Sequence, residues 1–243
     1  MHVHLPKPLH GWREFLHEVG IIVLGVLIAL GAEQLLSDLR DRSAAREARD
    51  NIRAEITENL SELASRDATN VCIERRLDEV AALIARSQQA GYRRPSWIGR
   101  PQVWPMIDAK WSAAAGAGRA TLLSPSELAS YGVIYRNLAL LQQVEMEEQT
   151  TWAHLRALEQ LDRVPADAVV PLTMALTEAR LDSWLARIHF RRSLVLAARL
   201  GIRPGAMPYV GSRSVCLPIN MPRAMALRQT LAQSGPENYF GEP

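Results

Sequence analysis

The chain has 243 residues, 48% of them apolar and 22% charged, with a formal net charge of +2. That leaves room for one anchor and one domain of about 200 residues, and the near-neutral balance excludes the broad basic field of a nucleic-acid binder. The only cysteines, Cys72 and Cys216, are too few and too far apart for a cysteine metal site, which needs closely spaced ligands.

Residues 1–14 open the chain with Pro6, Pro8 and three histidines, which reads as a short irregular tail. His2 and His4 form a lone His-x-His, a pattern that in a tail is ordinarily without function. Residues 19–32 follow without a charge, from Val19 to Ala32. A full span needs about 20 apolar residues. Extension to Phe15 on one side and Leu36 on the other supplies them, with Glu18 and Glu33 near the two ends and Trp12 as an interface anchor. Residues 15–36 are therefore expected to cross a lipid bilayer. Three other readings compete: a buried core helix, the apolar part of a secretory signal cut near Ala29-Leu30-Gly31, and an in-plane helix. Leu35, Leu36 and Leu39 carry the pattern past that cleavage site, and no polar face suits an in-plane helix. Gly25 and Ala29 are spaced as a small-x-x-x-small pair, which lets a second copy of the span approach closely.

Residues 37–51 are charged and Ala-rich, with Asp38–Arg42 and Arg46–Asp50 as i,i+4 partners, and read as a helical stalk. The apolar pattern returns at Ile52, Ile56, Leu60 and Leu63. Residues 70–89 form the next amphipathic helix, with Ile73, Leu77, Val80 and Ile84 on one face. Residues 91–105 are a long Gly/Pro/Trp connection, and a short helix surrounds Trp111. Ser124-Pro125-Ser126-Glu127 is the clearest helix start: a capping box with proline at the first position. That helix is expected to reach about residue 161. A last long helix covers about 167–200, with Leu172, Leu176, Leu181, Trp184, Leu185 and Ile188 as core candidates and Gly201 as its stop. Residues 201–243 are an irregular tail with a short helix at 222–233. No heptad run long enough to prove a coiled coil stands out. The fold class is all-α: residues 52–200 form an antiparallel helical bundle behind the span and stalk, closed by the tail.

Orientation is contested. Lys7 and Arg13 precede the span, whereas Arg40, Arg42, Arg46, Arg49 and Arg53 follow it, which by the positive-inside rule puts the domain inside. The cysteine pair favours the outside, where one disulfide can persist; two unrelated buried thiols are the alternative. The chosen expectation is amino terminus in, domain out.

Several blocks together carry a resemblance: Trp12-Arg13-Glu14-Phe15 with residues 18–30, then Cys72-Ile73-Glu74-Arg75-Arg76-Leu77, then Tyr131, Tyr135 and Trp152, and lastly Cys216-Leu217-Pro218-Ile219. The chain resembles a family of uncharacterised proteobacterial proteins with one amino-terminal membrane span and a helical domain. The resemblance covers most of the length. It implies that the anchor and the two cysteines belong to a shared plan, with a Cys72–Cys216 disulfide, a single-pass place in the bacterial inner membrane and a periplasmic domain. It implies no reaction, cofactor or catalytic residue.

Glu145 and Glu148 fall near the apolar stripe of the capped helix. They are the one candidate ligand cluster. Carboxylate metal sites in bundles use Glu-x-x-His motifs from two helices, and Glu14 to His17 is the only such motif. No metal is therefore expected, and the glutamates are read as ion-pair partners of Arg75, Arg76, Arg180 or Arg187. Nucleophile-elbow and phosphate-loop patterns fail at residues 211–214 and 116–118. The expected function is a membrane-anchored sensor, scaffold or interaction module that meets another membrane protein, without a cofactor. The alternative is an anchored enzyme or small-ligand binder using the central glutamates.

Overall fold

A computed structural model describes residues 11–205 and 214–233. The expected tail at residues 1–10, parts of the carboxyl-terminal tail and most of the residue 211–214 pattern lie outside the described residues. Among the described residues there is no strand, and the helices pack together into an all-α fold.

Helix α1, Trp12–Asp67, runs 56 residues without a break. At 1.5 Å per residue it is about 84 Å long. Its first part is long and apolar enough to cross a membrane, and none of that apolar window is buried within the protein. Burial begins at Ala45 and Ala48, then takes in Ile52, Ile56, Leu60 and Leu63 at helical spacing. The stalk is thus continuous with a core helix, and no linker separates the apolar stretch from the domain.

Helix α2 is Asn70–Arg86 and α3 is Ala109–Gly116. Helices α4, Pro125–Leu155, and α5, Val169–Arg199, are the long partners of α1. Helix α6 is Arg223–Gln233. The pairings give the directions. Arg49 meets Glu127, Glu55 meets Tyr135 and Arg66 meets Glu148, so α1 and α4 run parallel. Arg53 reaches the Leu200 carbonyl, so α5 returns toward the end of the bundle nearer the apolar stretch. Glu74 and Asp78 of α2 meet Arg187 and Arg180 of α5 in turn. Helix α2 therefore continues in the direction of α1 after a break at Ala68–Thr69. The bundle has three columns: α1 followed by α2, then α4, then α5.

Two apolar cores fill it. The one nearer the span joins Ile52, Ile56, Leu60 and Leu63 to Tyr131, Ile134, Leu138, Leu141 and Phe190. The far one joins Ile73, Leu77, Val80 and Ile84 to Trp152, Leu155, Leu172 and Leu176, with Ile98 and Val215 from irregular segments.

The capping box forms as the sequence predicts: Ser124 Oγ accepts from the Glu127 amide at 3.3 Å, and Ser124 N donates to Glu127 Oε2 at 3.2 Å. Glu127 also accepts two bonds from Arg49 of α1, at 2.6 and 3.0 Å. Helix α4 stops at Leu155, short of the expected end, because the chain tightens into a 3₁₀ turn at Arg156–Gln160. The core face of α5 differs from the expected one. Leu172 and Leu176 are buried, but Leu181 and Trp184 are half exposed. Six of the buried residues of α5 are small, Ala175, Ala179, Ser183, Ala186, Ser193 and Ala197, and they sit beside Leu172, Leu176 and Phe190. Small side chains allow the backbones of α4 and α5 to approach closely, and Leu181 and Trp184 are left outside.

Candidate functional site: a buried charge layer under a draped loop

The two cores are separated by a polar layer at the level of the α1–α2 break. Arg66, in the last turn of α1, is 4% exposed, and Glu145 and Glu148 of α4 are fully buried. Glu145 and Glu148 are three apart, so they share one helix face. Arg66 Nη2 reaches Glu148 Oε2 at 2.5 Å, and Nε lies 3.2 Å from Glu145 Oε1. Its Nη1 donates to Asn70 Oδ1 at 3.2 Å. Glu145 Oε2 accepts the Trp104 amide at 3.3 Å, whereas Glu148 Oε1 has no hydrogen-bond partner among the described residues. Asp182 joins the same level through Thr151 at 3.3 Å.

The layer holds two carboxylates and one guanidinium. Burial raises the pKa of Glu145 to about 7, against the opposing pull of Arg66. Burial also raises Glu148, again opposed by Arg66. Burial alone would lower Arg66, but Glu148 and Glu145 outweigh it and hold the guanidinium above its ordinary range. Glu62, one turn earlier on α1, is raised to about 7 by burial and by Glu58. Burial thus pushes the carboxylates of this level toward their neutral form, and Arg66 opposes it.

The arginine that holds the glutamates is Arg66, and not any of the four the sequence suggested. Arg75 is half exposed, donates to the Cys216 carbonyl at 3.0 Å and lies 4.0 Å from Glu79. Arg187 pairs with Glu74 at 2.9 Å, and Arg180 with Asp78 at 2.7 Å. Arg76 is fully buried and donates to the carbonyls of Trp97, Ile98 and Leu217. Arg187 does share a small cleft with Arg66 and Asn70, with room for about one water. His189 is not isolated: its Nδ1 lies 2.8 Å from Asn137 Oδ1.

The connection from Trp97 to Trp111 explains the other buried polar groups. It has no regular ladder until α3, so its amides need partners elsewhere. Ile98 N donates to Glu159, Trp104 N to Glu145, Met106 N to Gln142 and Ile107 N to Asn59. Lys110 N and Trp111 N donate to Glu55, which thereby caps α3. Glu55 also accepts from Tyr135 at 2.6 Å; burial and then that bond raise the tyrosine pKa. Each bundle carboxylate or amide in this set anchors a strap of chain.

The tail docks on the same strap. Cys72 and Cys216 are disulfide-bonded, with Cα atoms 4.9 Å apart. Trp97 Nε1 donates to the Ser214 carbonyl at 2.8 Å, and Trp97 N to Ile219 O at 2.9 Å. Gly99 has φ +72, and a Cβ there would lie 2.6 Å from the Ser214 carbonyl oxygen. That position needs glycine both for its backbone conformation and for the close approach.

Sequence reasoning missed Arg66, Glu55, Asn59 and Glu159, and gave Arg76 to the glutamates where it holds backbone carbonyls. A signal existed for the first three: the stripe Ile52, Ile56, Leu60, Leu63 continues through Arg66, and Glu55 and Asn59 lie beside it on the same face. Among the described residues, no three His, Cys, Asp or Glu side chains group as ligands for a metal ion. No protein-family model, curated protein or solved structure matches the chain.

Proposed function

We propose that the chain is a single-pass, membrane-anchored interaction module, with its amino terminus in the cytoplasm and its helical domain in the periplasm of a bacterium. The observation that carries this reading is α1: a fully exposed apolar stretch that passes without a break into the core of a bundle. Exposed apolar side chains over residues 15–36 are costly in water and favourable in lipid. The buried polar groups support a binding role over a catalytic one, because Glu55, Glu145 and Glu159 are engaged with loop backbone and Glu148 with Arg66. The Cys72–Cys216 bond supports the outside location, since disulfides persist in oxidising compartments. Gly25 has open space around it, so a second span can approach the Gly25–Ala29 face.

The test is fractionation with thiol labelling. The full chain should stay in membranes through a carbonate wash, and a chain starting at Asp38 should be soluble. Val26→Arg should cost about 2.5–3.5 kcal/mol of insertion free energy. Protein taken directly from cells and unfolded without reductant should resist thiol reagents. Release by carbonate sinks the anchor; labelling of both thiols places the domain in the cytoplasm.

A further inference from the structure

We infer that the outer face of α5 is a docking surface for an amphipathic helix of a second protein, one that sets carboxylates opposite Arg191 and Arg192. This deepens the interaction-module reading and rests on it.

Helix α5 is apolar on two opposite faces. The inner face, mostly alanine and serine with Leu172, Leu176, Asp182 and Phe190 among them, packs in the bundle. The outer face carries Val170, Met174, Leu181, Trp184 and Val195, each 51–66% exposed, with the partly buried Ile188 among them. At 100° per residue these six fall within an arc of about 80°. They also keep a seven-residue register. Met174, Leu181, Ile188 and Val195 are seven apart, and so are Val170, Thr177, Trp184 and Arg191. These are the a and d positions of a coiled-coil seam over about 38 Å. Besides its packed face, α5 thus exposes large apolar side chains in heptad register, and that seam has no partner among the described residues.

The charges choose the partner. Arg180 and Arg187 on one flank are already paired with Asp78 and Glu74 of α2. Arg191 sits in the seam and Arg192 beside it, both exposed. Neither takes part in any ion pair among the described residues. A second copy fits poorly. Two copies anchored in one membrane share a two-fold axis along the membrane normal. Helix α5 runs antiparallel to α1, close to that axis, so α5 would meet α5 in parallel and in register. Arg191 would then face Arg191, with Arg187 and Arg192 of both copies alongside. A helix with carboxylates at that level converts the repulsion into attraction and adds partner choice.

The experiment uses the full chain in lipid nanodiscs and two labelled synthetic peptides of 28 residues. Both carry leucine at every a and d position; one is flanked by glutamate and the other by lysine. Fluorescence anisotropy should show the glutamate peptide binding at least tenfold more tightly. Leu181→Asp with Trp184→Asp should abolish binding while thermal unfolding is unchanged, because both sites are exposed. Arg191→Glu with Arg192→Glu should reverse the preference. Equal binding of the two peptides, or no binding to folded protein, overturns the proposal. So does efficient crosslinking between two copies of Trp184→Cys, which assigns the seam to a second copy. Loss of the protein from carbonate-washed membranes removes the anchor reading separately, and the peptide result still decides the seam.

Discussion

The half of the bundle nearer the span and the half beyond Arg66 are built on different terms. In the near half, α1, α4 and α5 are continuous helices, and Ile52, Ile56, Leu60 and Leu63 meet Ile134, Leu138 and Leu141 directly. Backbone polar groups of these three helices are satisfied within them, and the irregular chain that reaches this half is held at residues 107–111 by Asn59 and Glu55 of α1. In the far half, one column is the short α2, and the walls include the strap after Trp97 and the tail from Ser214. Irregular chain brings unpaired amides and carbonyls, so buried charge must meet them. Arg76 and Glu159 do so, and the Cys72–Cys216 bond fixes the tail covalently. Regular chain is held by its own periodicity, whereas irregular chain is held by particular side chains.

The largest effect should come from reducing Cys72–Cys216. Closing a loop between residues 144 apart is worth about 4–5 kcal/mol in the chain-entropy model. Hydrogen exchange should rise first at Trp97–Arg100 and Ser214–Met221, with α1 amides around Ile56 protected for longer. Equal loss of protection in both halves breaks the comparison.

Next comes the layer between the halves. Arg66→Met leaves Glu145 and Glu148 buried without a countercharge and should cost about 3–5 kcal/mol. Adding Glu145→Gln and Glu148→Gln should recover most of that in denaturant unfolding. If the triple variant is as unstable as the single one, Arg66 matters for packing and not for charge.

The pH dependence should be smaller. Glu145 has a folded pKa of about 7, above its ordinary 4.5, so the folded state holds the proton more tightly. The associated stabilisation is full below about 4.5 and is lost as pH rises through about 7, a change on the order of 1–3 kcal/mol. Glu127 has the opposite sign. Its bonds from Arg49, then from Ser124, lower its pKa to about 2 despite partial burial, so its contribution is lost as pH falls through that value. Thermal melting from pH 5 to 8 should decline in the wild type and decline less steeply in Glu145→Gln, in which Glu62 and Glu148 remain raised.

The smallest effect belongs to Ser124→Ala, which removes the cap of α4 in the near half at a cost of about 1 kcal/mol. Exchange in the first turns of α4 should change while the far half does not. Propagation into the far half would show that the cores do not act separately.

What was legible in the sequence follows the same division. The all-α class, the capping box and the stripes on α1 and α2 all rest on helical periodicity, which a linear sequence displays. The core face of α5 was misjudged for a physical reason. Two apolar faces overlap in its sequence, and Leu181 and Trp184 outweigh alanines by eye, although alanine is what permits close approach to α4. That overlap also hid the seven-residue register of the outer face. The partners of Glu145 and Glu148 were unreadable, because Arg66 meets them only once α1 and α4 align in parallel. Arg76 and Glu159 could not be assigned either, since their partners are backbone atoms of distant irregular chain.

The unbroken path of α1 from apolar stretch to core makes it a crank. Each residue of an α-helix advances about 100° around its axis. One residue added within the exposed stretch at 37–44 would turn the whole domain by that angle relative to the span. The direction in which the outer face of α5 looks relative to the apolar stretch is thus set by the length of the stalk, counted in single residues.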